Sequence, residues 1–465
     1  MAIIQTINFK STNNYFAGFL QELIKQSGIK RDVSFGKHKI TLTLDDSDSS
    51  ALEEFSKLCN KYLPYSLFLG DVNTSMSDFE VTIGDFKSEN YDIALCPKCL
   101  EMVTRPDSPH YLSDTVVCNH YSNTGKSIED YTTFSPHYSE GCSVLLTDAS
   151  KVDELFIMTD EEKKALFSIE KPSIKVTIAD ETLKELTGKN YIWIKSPSTI
   201  KSTLIALNAK ESDVSYLFFH DNYQNKAVVV QKNILFLQNH LKPLENLDTN
   251  PIINKFLNIK KEAGFEAGTI GAELSYTNGI SFILSDAKET KEIIKFKEFD
   301  LQEVINELKN DANKSQLLVN FEKKYPHIIE KLFATQTNDL FEAIAIILER
   351  NDSFESVSDK SLEFRGNGGV KMDTNFTDGG MDYSAFLSTM MSFKLADTPN
   401  AYLAYSVFES LADMIISILN QLKTKFKNEH FIMMGNMFEN SVVYSRILSK
   451  FSLSNPYFSK EIGIN

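Results

Sequence analysis

The stretch LCPKCLEMVTRPDSPHYLSDTVVCNH, Leu95 to His120, divides the chain and sets how both sides of it are read. Two thiols spaced Cys96-x-x-Cys99 reach one ion from a tight turn, and a second knuckle about twenty residues on completes a tetrahedral shell. Cys118 follows Cys99 with eighteen residues between them, where that second knuckle begins. The place of a fourth thiol holds Tyr121, a poor zinc ligand. His120 stands one residue earlier and can substitute, as can His137 or Cys142. We read Cys96, Cys99, Cys118 and His120 as the ligands of one structural zinc ion, because no neighbouring acid–base pair gives the site catalytic character. The competing reading is a knuckle that has lost its metal. The chain has only five cysteines. That odd, thin scatter argues against a disulfide framework and for reduced thiols in a cytoplasmic protein.

Upstream, residues 1–85 read as a small α+β unit. A helix is predicted from Phe16 to Ile29, a strand over His38 to Leu44 and a second helix from Ala51 to Leu63, whose apolar stripe carries Cys59 as a core thiol. Downstream, residues 86–145 form a polar, turn-rich region around the metal motif, and 146–205 a short mixed segment. In the latter, Thr159 to Glu162 has capping-box spacing, Ile174 to Ile178 and Tyr191 to Ile194 read as strands, and Pro172 stops the intervening helix.

Residues 206–465 form the largest unit. Strands are predicted near 214–219, 227–231 and 234–237, and a hairpin over Gly268 to Leu284 turning at Asn278-Gly279. Helices are predicted over Phe299 to Leu332, Asp339 to Arg350 and from Pro399, capped by Thr398, to Lys425. Ser361 to Phe376 reads as a second hairpin with a Gly-rich tip. Phe431 to Met434 is a buried strand that turns at Gly435-Asn436 into a last helix.

Charge and composition bound the function. Net charge is −15, and an acidic surface repels phosphate backbones, which disfavours nucleic acid as a partner. The first residues lack the basic and apolar regions of a signal peptide. The apolar run Met414 to Leu422 is too short to span a bilayer, so no membrane insertion is expected. Neither Gly366-Asn367-Gly368-Gly369 nor Asp378-Gly379-Gly380 has the strand–loop–helix setting or the GK[ST] of a phosphate loop. A helix N-terminus after Gly435 can hold phosphate, though many strand–helix turns use Gly and Asn. His240 reads as a structural histidine, and no Cys/His or Ser/His/Asp set can be assembled from sequence alone.

Several stretches, in order, resemble the HypF-type carbamoyltransferases of nickel–iron hydrogenase maturation. Leu95 to Tyr111 is similar to that family's first zinc knuckle. Phe167 to Pro172 and Tyr191 to Ile200 resemble its YrdC-like domain. The run FLQNHLKPLENLDT, Phe236 to Thr249, is the most specific match. LFEAIA, Leu340 to Ala345, and MGNMFEN, Met434 to Asn440, resemble two motifs of its Kae1-like domain.

The resemblance implies a multidomain α/β and α+β chain. Its parts would be a degenerate acylphosphatase-like domain (1–85), a zinc-knuckle region (86–145), a reduced YrdC-like segment (146–205) and a Kae1-like, ASKHA-type domain (206–465). It implies Glu342, Gly435 and Asn440 as contacts for ATP or another nucleotide. The departures are instructive. The acylphosphatase Arg and Asn fall on Ala17 and Phe35, the family's "FH" histidine on Phe408, and a glycine of the nucleotide loop on Asn436. The His-rich metal motif and the closing Asp-Gly-Gly are missing.

The chain looks most like the shortened, HydE-type formation proteins. That implies a maturation accessory that binds a hydrogenase subunit or another maturation protein without transferring carbamoyl groups. The rival expectations are a carbamoyl- or nucleotidyl-transferring enzyme with a rearranged site, and a zinc-containing interaction protein unrelated to hydrogenase.

Overall fold

The computed structural model describes the chain apart from residues 37, 82, 83, 85, 87–93, 117–131, 221–224, 239–242, 267, 352, 378 and 379. Two compact units emerge: Met1–Pro243 with Lys460–Ile462, and Leu244–Ser459 with Gly463–Asn465.

The first unit opens with β1 (Ala2–Phe9), α1 (Tyr15–Ser27), β2 (Arg31–Gly36), β3 (Lys39–Asp45), α2 (Ser49–Tyr62) and β4 (Leu69–Ser77). The sheet order is β2-β3-β1-β4, with every pairing antiparallel, which is a split βαβ arrangement. Alternation places Ile40, Leu42 and Leu44 of β3 inside, beside Phe16, Phe19 and Leu23 of α1. Gly28 ends α1 in the left-handed region at φ 77°, where an L side chain is disfavoured. Cys59 is half-buried against this core, and burial raises its thiol pKa to about 11.

Next come α3 (Pro97–Thr104), β5 (Phe134–Ser135), β6 (Ser143–Leu146), α4 (Val152–Leu155), β7 (Phe156–Ile157) and α5 (Asp160–Phe167). The Thr159–Glu162 capping box opens α5 as its spacing predicts. Then follow β8 (Ser173–Ile178), α6 (Glu181–Thr187), β9 (Tyr191–Lys195), α7 (Ile200–Glu211), β10 (Tyr216–Phe219), β11 (Lys226–Val230) and β12 (Asn233–Phe236). The strands form one mixed sheet, ordered β12-β11-β8-β9-β6-β10-β5 with β7 on β8.

This sheet corrects the domain boundary expected at residue 206. Strands β10 to β12 form as predicted, but β10 hydrogen-bonds to β6, β11 to β8 and β12 to β11, so the units divide at Pro243/Leu244. The boundary is misread because backbone pairing is non-local and leaves no local mark. One apolar core runs from Ile7 through Cys96 and Cys99 to Phe236, joining both sheets. Stacking of Phe68 on Phe236 at 5.5 Å is part of that join.

The second unit begins with α8 (Pro251–Ala263), β13 (Thr269–Ser275), β14 (Gly279–Ser285) and β15 (Thr290–Lys295). A helical layer follows: α9 (Leu301–Asn310), α10 (Ala312–Lys324), α11 (Pro326–Ala334), α12 (Leu340–Ile347) and α13 (Phe354–Leu362). The chain finishes with β16 (Phe376–Thr377), β17 (Gly380–Met381), α14 (Tyr383–Leu395), α15 (Asn400–Phe426), β18 (His430–Met434), α16 (Ser441–Lys450) and β19 (Tyr457–Phe458). The sheet order is β15-β14-β13-β18-β19, with β13–β18 and β18–β19 parallel. Gly271 lets α8 lie close on β13, since an added Cβ would sit 2.5 Å from the Phe256 ring.

Two expectations are corrected here. Ser361 to Phe376 is the end of α13 and an irregular stretch, not a hairpin. That stretch is held along α15, where Gly369, Val370 and Met372 amides donate to Glu409, Ser406 and Ser410 at 2.7–3.0 Å. Helix α15 has Pro399, not Thr398, at its cap. By length and composition α15 passes for a membrane span, but 78% of its apolar window is buried within the unit, as in a core helix.

Candidate functional site

Three places bear on function. The first is the knuckle. Cys96 caps α3, with Pro97 in its first turn, and the Cys99 amide donates to Cys96 Sγ at 3.4 Å. Both thiols are buried. Amide donation to sulfur favours a thiolate, so this half of the expected donor set fits zinc. Cys118 and His120 lie outside the described residues. Among the described residues no three Cys, His, Asp or Glu side chains are grouped to hold a metal, so neither His137 nor Cys142 joins Cys96 and Cys99.

The second place is the loop between β1 and α1. Ser11 Oγ donates to the Glu461 carboxylate at 3.0 Å and Thr12 Oγ1 at 2.6 Å, and the Thr12 amide donates to the same group. Ser11 and Glu461 are almost fully buried. The Asn13 amide donates to Ser11 Oγ at 3.0 Å and folds the loop around the carboxylate. A strand-to-helix turn with convergent N–H and O–H groups is an oxyanion cradle, and here one side chain 449–450 positions away fills it. Glu170 supports the same helix. Its buried carboxylate accepts from Tyr15 Oη at 2.6 Å, from the Leu67 amide at 2.9 Å and from Ser66 Oγ. Burial raises the Glu170 pKa and lowers that of adjacent Lys171 to about 8, while the Lys171 ammonium reaches Ser196 Oγ at 3.3 Å. Ala17 is buried and offers no side-chain donor.

The third place is the turn after β18. Gly435 adopts φ 109°, and a side chain there would strike the backbone of Leu274. Its amide donates to the Ile464 carbonyl at 2.6 Å. Asn436 ties the turn to the β13–β14 hairpin, accepting from the Tyr276 amide at 2.9 Å and donating to Thr277 Oγ1 at 3.2 Å. Asn440 is fully buried, caps α16 through the Val442 amide and donates to Ser358 and Ser361 at 2.9 Å each.

Beside this turn lies a cavity of about 650 Å³. Ser275, Thr277 and Asn278 of the hairpin, Phe341, Tyr383 and Met437 line it, and Lys295 and Lys297 stand at its wall. Of the expected nucleotide contacts, Gly435 and Asn440 flank Met437 in sequence, and Glu342 sits in the first turn of α12. None of the three lines the cavity. Phe408 is locked in an aromatic cluster, 5.4 Å from Phe341 and 5.6 Å from Phe354, while Phe354 stacks on Tyr276 at 4.1 Å.

Next to the hairpin, Glu273 of β13 and Lys255 of α8 are buried with opposite charges. Burial raises the Glu273 pKa and lowers that of Lys255 to about 8.

Sequence reasoning marked the turn at Cys96–Cys99 and the turn after β18. It missed Glu461, because no pattern in its own segment marks a carboxylate destined for a loop at the other end of the sequence.

No family model matches the chain. Protein HydE of Wolinella succinogenes is 22% identical over 350 residues, covering 65% of this chain and 62% of that protein. The match thus spans about three fifths of that relative's length. The crystal structure of T. kodakarensis HypF superposes with a TM-score of 0.63 at 10% identity, covering 100% of this chain and 97% of that one. Full-length HypF in its phosphate- and nucleotide-bound form gives 0.56 at 11% identity, covering 100% and 96%. A superposition that spans the whole chain makes this protein HypF-like in fold, and over about two thirds of its length it is similar in sequence to a HydE protein.

Proposed function

We propose that this chain is an accessory protein of nickel–iron hydrogenase formation that works as a binding scaffold and not as a transferase. The observation that carries this reading is the cradle after β1, whose donors are taken up by Glu461 within the chain. An acylphosphatase-like domain, for which the βαββαβ order of residues 2–77 speaks, would need those donors for its substrate. Ala17 and Phe35 stand where that chemistry needs an Arg and an Asn. In the Kae1-like part, Asn440 is spent on α13 and Phe408 sits among rings.

The partner is a hydrogenase subunit or another maturation protein. Tagged protein recovered from its host should carry one of these, and a deletion strain should lose hydrogenase activity. Recovery of neither, with normal hydrogenase in the deletion strain, overturns the reading. A knuckle zinc belongs to it as a staple: after dialysis against a weak chelator that strips reversibly held cations, metal analysis should find about one zinc per chain, lost in Cys96→Ser along with local folding.

The second reading is carbamoyl or nucleotidyl transfer at a rearranged site, favoured by the open cavity at the hairpin. Calorimetry with ATP, alone and with carbamoyl phosphate, decides between the two. Steady ATP cleavage driven by carbamoyl phosphate would replace the scaffold with an enzyme.

A further inference from the structure

Strands β6 and β10 run antiparallel with Ser143 opposite Phe219. The residues one step outside that pair, Cys142 and His220, therefore face each other across 78 positions of sequence. The turn that delivers Cys142 is closed by its amide, which donates to the Ser139 carbonyl at 3.1 Å, and it uses Gly141 at φ 82°. Cys142 Sγ lies 3.2 Å from His220 Nε2. Ser139 Oγ completes a triangle, 2.7 Å from that nitrogen and 3.1 Å from the sulfur. The sulfur is buried at the floor, whereas His220 and Ser139 are open to solvent.

We propose that Cys142 and His220 are a thiolate–imidazole pair that takes a soft divalent cation of the zinc class, with Ser139 Oγ and solvent filling the remaining positions. Sulfur and imidazole nitrogen are the two donor types zinc prefers, at about 2.3 and 2.0–2.1 Å, which in a tetrahedral shell places them about 3.5 Å apart. The pair therefore needs to open by only about 0.3 Å, within the reach of a side-chain adjustment. On binding, the sulfur–hydrogen bond gives way to a sulfur–metal bond and the proton leaves to solvent, while the neutral imidazole supplies its lone pair.

Among the described residues, no third Cys, His, Asp or Glu groups with this pair, and neither Cys96 nor Cys99 joins it. Two protein donors and a hydroxyl leave open coordination, unlike the closed shell expected of the knuckle. Such a site holds its cation reversibly and offers it to a ligand from outside.

The test is a Co²⁺ titration of the full chain, read by thiolate-to-cobalt charge transfer. Wild type should show a component that disappears in Cys142→Ser and weakens in His220→Ala but persists in Cys96→Ser. Spectra of the first two variants that coincide with wild type overturn the proposal. So does a Cys142 component that vanishes in Cys96→Ser, since that would place Cys142 in the knuckle's own shell. A second measurement needs no variant. Saturating Zn²⁺, but not Mg²⁺, should slow maleimide labelling of Cys142, followed by peptide mass spectrometry, about tenfold or more. Unchanged labelling of Cys142 overturns the proposal equally.

Discussion

The two strand-to-helix turns that a ligand would use are built alike and end differently. After β1, Ser11 and Thr12 converge on one carboxylate that the chain itself provides. After β18, Asn436 and Asn440 are bonded to neighbouring elements, yet a cavity of about 650 Å³ remains beside them. The first turn keeps its donors but has an internal occupant. The second has given up its polar side chains to packing but keeps its space. A resemblance in fold therefore leaves the chemistry of each site to be settled residue by residue.

That contrast can be broken at Gly435. A Gly435→Ala change forces a side chain into the Leu274 backbone at φ 109°. It should cost about 3 kcal/mol or more, from left-handed strain plus the clash. Hydrogen exchange at the β13 and β18 amides reads the effect, with the loss confined to the second unit. Unchanged protection would mean that the turn is not locked.

At the first turn, Glu461→Ala leaves Ser11 and Thr12 without their acceptor. A loss of about 2 kcal/mol is expected from the orphaned buried donors, with Glu461→Gln recovering part of it. The Thr12 amide is the reporter. If it stays protected in Glu461→Ala, the loop does not depend on its occupant and the contrast fails.

The last test is a pH dependence in the support of α1, which is spread over several pH units and is small at any one pH step. Lys171 sits beside Glu170, which grips Tyr15, and burial lowers its pKa from the ordinary 10.5 to about 8. Between these values the unfolded chain holds the extra proton, so stability rises with pH, by about 1.4 kcal/mol per unit at most. The contribution is complete above pH 10.5 and is lost as pH falls through about 8. Lys171→Met should remove that rise from a denaturation series across this range. An equally steep rise in the variant would show that the lysine is not held in its buried position.

The legible elements were those with a strong local pattern: α1, α2, the Thr159 capping box, the β13–β14 hairpin and the apolar helix α12. Strand β4 escaped because it is an edge strand whose residues are mostly exposed, so it lacks alternation. Helix α8 escaped although Asn250-Pro251 carried a start signal, which the turn-rich run before it masked.

By itself, the sequence determined the elements with a strong local pattern, among them α1, α2, the β13–β14 hairpin and α12, and the turn that sets Cys96 beside Cys99, because each depends on residues within one or two turns of each other. Only the tertiary structure decided that β10 to β12 join the first unit, that Glu461 fills the loop at Ser11 and that His220 meets Cys142. Those contacts bring together residues from 53 to 450 positions apart, and a side chain's local surroundings in the sequence carry no record of a partner chosen by the folding of the whole chain.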